Sequence, residues 1–222
     1  MQPVPASAIT VKRVAADWKV QAARALDLLQ RVLLISLCGL VLAWLWLSRD
    51  RVAMTLAAAP RLTTFVLFVA IAIAETWPLA SHPGRYSRND NSDTVLNEWT
   101  IGWVVHQAPR DPLHLFDANI FYPEKRTLAY SETMAVQSAM AAPVFWLGGS
   151  PVLAYNLILL AGFALSGWAM CLVLARWTGD WAAALTGGII FAFNAHNFTR
   201  LPHLQAQHVE FLPLALLALD RL

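Results

Sequence analysis

The sequence predicts an all-α fold: a polytopic helical membrane protein whose outer-face loop carries short interfacial helices. Three observations predict it. Hydrophobic residues fill 58% of the 222 positions and charged residues only 14%, well under the roughly 25% charge of an ordinary soluble domain. The apolar residues gather in long runs and not in the spaced stripe of a soluble amphipathic helix. Arginines crowd some of the connections between runs and are scarce in others, the asymmetry that orients membrane helices. A formal net charge of +2 with dispersed arginines argues against a nucleic-acid surface. Cys38 and Cys171 both lie inside apolar runs, where a thiol behaves as a small hydrophobe, so neither a disulfide frame nor a metal pair is indicated.

Five runs follow in order. Residues 32–48 form a marginal apolar helix within an N-terminal extension, residues 1–61. That run starts too far from the N-terminus to be a signal peptide, and no small-residue cleavage site follows it, so it reads as a retained helix. Residues 62–80 and 152–175 approach the about 20 residues that cross a bilayer and read as sound spans. Residues 181–193 are marginal. Residues 209–219 break off at Asp220, Arg221 and Leu222 in mid-helix, so residues 142–222 read as further transmembrane helices truncated at the C-terminus, and the chain as a fragment.

Arg49, Arg51 and Arg61 between the first two runs, and Arg176 in the WTGD turn between the third and fourth, assign both connections to the cytoplasm. Residues 81–141 then form an outer, periplasmic loop, and the connection around residues 197–208 lies on the same face. Lys12, Arg13, Lys19, Arg24 and Arg31 resist this scheme, because a spanning 32–48 helix would carry them outside. Either that run does not cross or the working protein starts later, for example at Met54. Trp44, Trp46, Trp77, Trp146, Trp177 and Trp181 sit at or near run ends, as interfacial anchors do.

Mid-span positions are nearly free of ionisable groups, Glu75 excepted, which disfavours a carrier with polar groups at the bilayer midplane. Polar chemistry collects outside, in two places. The loop holds Asp90, Asp93, Glu98, Asp111, Asp117, Glu124 and Glu132. Residues 93–107 read as a helix flat on the membrane, with Leu96, Trp99 and Trp103 at i, i+3 and i+7 on one face and Asp93, Asn97 and Thr100 on a neighbouring one. Asp93 at its start reads equally as a helix cap. Trp99 and Trp103 read as interfacial burial or as a stacking platform for a sugar ring. Residues 111–132, rich in turn formers and too polar for the bilayer, read as an ordered outer loop. The second place, NAHNFTRLPHLQAQH at residues 194–208, combines Arg200, His203, Gln205 and His208. An arginine fork and imidazole donors suit a phosphate. The spacing lacks the His-Glu pairing or cysteines of a metal site, so no divalent metal is indicated.

TWPLA closing a span, SDTVLNEW opening an outer helix, DANIFYP in the loop, and then PVLAYNLILLAGFALSG, IFAFNAHNFTRLPHLQ and FLPLALLAL follow in that order. From Leu62 onward the chain resembles the amino-terminal part of bacterial multi-spanning proteins of the GT-C glycosyltransferase superfamily, which includes protein mannosyltransferases and aminoarabinose transferases. The resemblance implies a multi-pass protein of the plasma (inner) membrane, with membrane lipids and a polyprenyl-phosphate sugar as partners. It needs no cofactor, the lipid-linked sugar being the donor that is passed to an acceptor hydroxyl on the outer face. The family's aspartate early in the first outer loop acts on the acceptor. Asp93 matches it, with Asp90 as the alternative. Asn97, Trp99, Arg200, His203 and Gln205 are then expected to bind the substrates. The paired Asp-Glu of the mannosyltransferases is not reproduced, since Thr94 follows Asp93. A non-catalytic membrane scaffold subunit is the alternative class; it needs only spans and anchors, and is favoured if the two polar clusters lie far apart.

Overall fold

The computed structural model describes residues 58–87 and 92–222, with Leu29 and Ser36. The expected helix at 32–48, the basic residues before it, and Asp90 lie outside the described residues. The chain divides into two units, Met1–Thr55 and Leu56–Leu222, and the elements named below belong to the second. In order they are α1 (Pro60–Glu75), α2 (Ser92–Gln107), α3 (Ala135–Trp146), α4 (Pro151–Thr178), α5 (Trp181–Ala192), α6 (Ala195–Thr199), α7 (Leu204–Gln207) and α8 (Phe211–Leu219). Short 3-10 turns occupy Leu79–Ser81, Pro112–His114 and Thr127–Tyr130, and no strand occurs among the described residues.

The long helix α4 organises the rest. Ser150 caps it by accepting from the Leu153 N–H at 3.1 Å, and Pro151 takes the first turn, where its missing donor costs nothing. Gly179 ends it with φ +70°, a left-handed conformation that glycine adopts without a Cβ penalty. Asp180 then caps α5, its carboxylate accepting from the Ala182 and Ala183 N–H groups, so α4 and α5 form a tight hairpin. With 28 residues, α4 is about 42 Å long at 1.5 Å per residue, and it is the one described helix long and apolar enough to cross a membrane.

Residues 62–80 do not form one continuous helix. α1 has 16 residues, about 24 Å, and stops at Glu75. Thr76 folds its hydroxyl back onto the Ala72 carbonyl at 2.7 Å, and Pro78 cannot continue the ladder. The loop expected at 81–141 is also shorter, because residues 135–141 already belong to α3, a stretch of good helix formers with three alanines.

Helices α1, α2, α3, α5, α7 and α8 all pack on α4. The Trp168 indole donates to the Arg61 carbonyl at 2.9 Å, and the Asn156 amide donates to the Pro83 and Tyr86 carbonyls at 2.7 and 2.6 Å. Helix α1 therefore runs antiparallel to α4. The Arg176–Asp220 ion pair brings the end of α8 to the same end of α4 as the start of α1. Arg61, Arg176 and Asp220 thus stand at one end of α4, and the 83–86 segment at the other.

Close approach of α1, α4 and α5 depends on glycine. A Cβ on Gly188 would stand 2.6 Å from both the Gly167 carbonyl oxygen and the Phe68 ring, at the centre of a core that includes Phe68, Cys171 and Ala184. Gly188→Val should therefore cost at least the about 1–3 kcal/mol of an overpacked core, read as a lower melting temperature of the purified protein in detergent. An unchanged melting temperature would mean that the helices do not approach in this way.

Candidate functional site

Helix α2 presents a different face from the one its hydropathy indicates. Thr94, Asn97, Thr100, Ile101 and Val104 are buried, whereas Val95 and Leu96 are exposed. The polar edge turns inward because what it meets is polar. The Asn97 amide donates to the Pro202 carbonyl at 2.6 Å, across 105 positions of sequence. From α4, the Tyr155 hydroxyl points at the same backbone, 3.1 Å from the Leu201 carbonyl and 3.3 Å from that of Pro202. Thr94 and Glu98 of α2 also interact with that hydroxyl. The two polar clusters therefore meet around residues 201 and 202.

Trp99 and Trp103 stack with ring centroids 6.1 Å apart and pack with Val104 against Ala118 and Leu128. The Trp103 indole donates to the Leu115 carbonyl at 2.9 Å. These rings clamp the 111–132 loop onto α2, and the loop stiffens itself through Arg126 N–H to the Asp117 carboxylate at 2.9 Å and the Thr127 hydroxyl to the Ala118 carbonyl at 3.1 Å. Its far end reaches the second cluster. The Glu132 carboxyl is held below the ordinary carboxylate range, first by its own backbone N–H and then by the Ser131 hydroxyl, with the Gln205 amide and His203 adding to the effect. Glu98 is pushed the other way, by burial, and keeps its proton to a higher pH than a solvated glutamate does.

Asp93 is exposed in the first turn of α2, where a carboxylate suits the positive end of the helix dipole. It lies one turn before Asn97 on the same face, about 5–6 Å away between Cβ atoms. Arg200 is exposed just after α6. Its carbonyl accepts from the Gln207 amide at 2.9 Å, which anchors the backbone and leaves the guanidinium outside. His203, at the start of α7, is exposed as well, and Gln205 is half-buried. Asn97 and Tyr155 thus join α2, which carries Asp93 and Glu98, to the segment that carries Arg200 and His203. Such an arrangement can take a proton from a hydroxyl on one side and hold an anion on the other.

His208 does not belong to the outer mouth. Beyond Pro202 the chain turns back along α4: a Cβ on Gly162 would lie 3.1 Å from the Gln207 carbonyl oxygen. The Ser166 hydroxyl stands 3.2 Å from both that oxygen and the Glu210 carboxylate. His208 Nδ1 lies 2.8 Å from the other Glu210 oxygen, the two side chains being 1% and 4% exposed. Because Ser166 is near the midpoint of α4, the middle of the bundle carries an ionisable pair and is not dry, as hydropathy alone suggests. Among the described residues, His208 Nε2, Gln205 Oε1 and Gln207 Oε1 are buried without a hydrogen-bond partner. A signal for this course exists in the sequence, since Tyr155, Gly162 and Ser166 are spaced by seven and four and fall on one face of an otherwise apolar helix. Among the described residues no three of His, Cys, Asp and Glu converge as metal ligands would. Comparison with family models, curated proteins and solved structures found no match to this chain.

Proposed function

We propose that the chain is the amino-terminal part of a multi-pass plasma (inner) membrane glycosyltransferase, which moves a sugar from a polyprenyl-phosphate carrier to an acceptor hydroxyl on the outer face. The observation that carries this reading is the Asn97–Pro202 hydrogen bond, which joins the acidic helix to the segment bearing Arg200 and His203. A scaffold would need no such junction. In the reaction the acceptor oxygen bonds to the anomeric carbon as the bond from that carbon to the phosphate oxygen breaks. The acceptor proton passes to Asp93, and the charge left on the polyprenyl phosphate is met by Arg200 and His203. Glu132 lies within reach of both Gln205 and His203, and Trp99 packs the 115–128 segment onto α2.

Several features support the membrane setting. Leu62 and Val66 of α1 and Phe211 and Leu212 of α8 are exposed beside α4, as lipid-facing residues are. Trp77, Trp146 and Trp177, near helix ends, are exposed too. Arg61 and Arg176 share the end of α4 opposite to Tyr155, which by the positive-inside rule supports an outer location for the site. In the complete protein, Arg200→Ala should weaken binding of polyprenyl phosphate roughly ten- to hundredfold, the value of a hydrogen bond to a charged group. Arg200→Lys should restore only part of it, because an ammonium lacks the planar fork. Equal binding by both variants and the parent would make Arg200 structural and remove the phosphate side of the site.

A further inference from the structure

A concavity lies at the end of α4 opposite to Tyr155. A cavity of about 360 Å³ opens there between the start of α1, the last turns of α4, the start of α5 and the end of α8, within the about 300–1,000 Å³ of small-molecule sites. Its rim carries Arg61, Arg176 and Arg221, and its walls include Trp168, Trp181 and Leu217. No carboxylate lines it. Asp220 reaches Arg176 from outside the cavity, and among the described residues Arg61 and Arg221 have no such ion-pair partner. The Trp168 indole is oriented by the Arg61 carbonyl at 2.9 Å and by the Phe65 ring, whose centroid is 5.3 Å from its own.

We propose that this cavity binds the phosphate headgroup of an anionic phospholipid from the cytoplasmic leaflet. Three features of the cavity point to that class of ligand. Two guanidiniums at one rim, without carboxylate partners among the described residues, give planar donors matched to phosphate oxygens. The indole and leucine walls continue the rim into apolar surface, which fits an amphiphile and not a free anion. The end of α4 concerned is the arginine-bearing one, where the positive-inside rule places the cytoplasmic leaflet and its anionic lipids. The site is separate from the outer one and would anchor α1, α4 and α8 to each other at the cytoplasmic surface. It rests on the membrane setting proposed above but not on the transfer chemistry.

The test uses the complete protein in detergent. Retention of phosphatidylglycerol and of phosphatidylcholine is compared by native mass spectrometry, with binding of polyprenyl phosphate followed in parallel. The parent should retain phosphatidylglycerol preferentially. Arg61→Gln combined with Arg221→Gln should lower that retention about tenfold or more, while polyprenyl phosphate binding stays unchanged. Equal retention of the two lipids by the parent, which requires no variant to fold, overturns the proposal. So does a double variant that keeps its preference. Displacement of the lipid by glycerol phosphate at equal concentration would show a free-phosphate site instead and would equally overturn it. Because the outer site is read separately, loss of carrier binding alone bears on the proposed function and not on this cavity.

Discussion

Asp93→Asn in the complete protein should fold as the parent does and transfer sugar about 10²- to 10⁴-fold more slowly, the range of lost general-base assistance. The substitution separates two roles that the position allows. Asp93 stands in the first turn of α2, where asparagine serves a helix start about as well as aspartate does, at a cost of at most about 1 kcal/mol. Asparagine cannot take a proton. A loss of about 3–5 kcal/mol of barrier stabilisation therefore reports the carboxylate and not the helix. If Asp93→Asn keeps most of its activity while Asp93→Ala lowers the melting temperature, Asp93 is a helix-start residue only. Glu98, whose burial holds its proton to a higher pH, and Asp90 then become the candidates.

Glu210→Ala should destabilise the protein by about 1–3 kcal/mol, the cost of leaving a buried hydrogen-bonding group without its partner. The Glu210 carboxylate is nearly enclosed and accepts from His208 on one oxygen and Ser166 on the other. Without it the His208 N–H loses its partner inside the bundle, next to an Nε2 that already has none from the protein. Glu210→Gln keeps an acceptor for that N–H and should cost less. Thermal unfolding in detergent measures both variants. A Glu210→Ala protein as stable as the parent would mean that the segment from residue 204 to 210 does not fold back against Gly162 and Ser166.

What the sequence made legible were the elements with strong local signals. The WTGD turn with Gly179-Asp180 separates α4 from α5, and SDT opens α2, each by chemistry confined to a few residues. Three features escaped it because distant partners decide them. The inward face of α2 follows from the Tyr155 hydroxyl and the carbonyls of residues 201 and 202, not from its own apolar spacing. Helix α3 begins with Gln137 and Ser138 buried, and polar residues read as loop when nothing shows what covers them. His208, which pairs with Glu210, looked like part of an outer mouth, because hydropathy cannot tell a polar segment that leaves a bundle from one that turns back into it. At the site the residue types were legible, and the Asn97–Pro202 contact between the two clusters was not.

The most direct measurement is photo-crosslinking of the complete membrane-embedded protein with a photoactivatable polyprenyl phosphate, followed by peptide mapping. This probe is the product common to all such donors, so the outcome does not depend on knowing the sugar. Label should appear within residues 92–98 and 194–205, fall when unlabelled polyprenyl phosphate competes, and largely disappear in Arg200→Ala. Absence of competable label from both segments, or label confined to the cavity of Arg61, Arg176 and Arg221, would contradict a carrier site at the junction of α2 with residues 200–205.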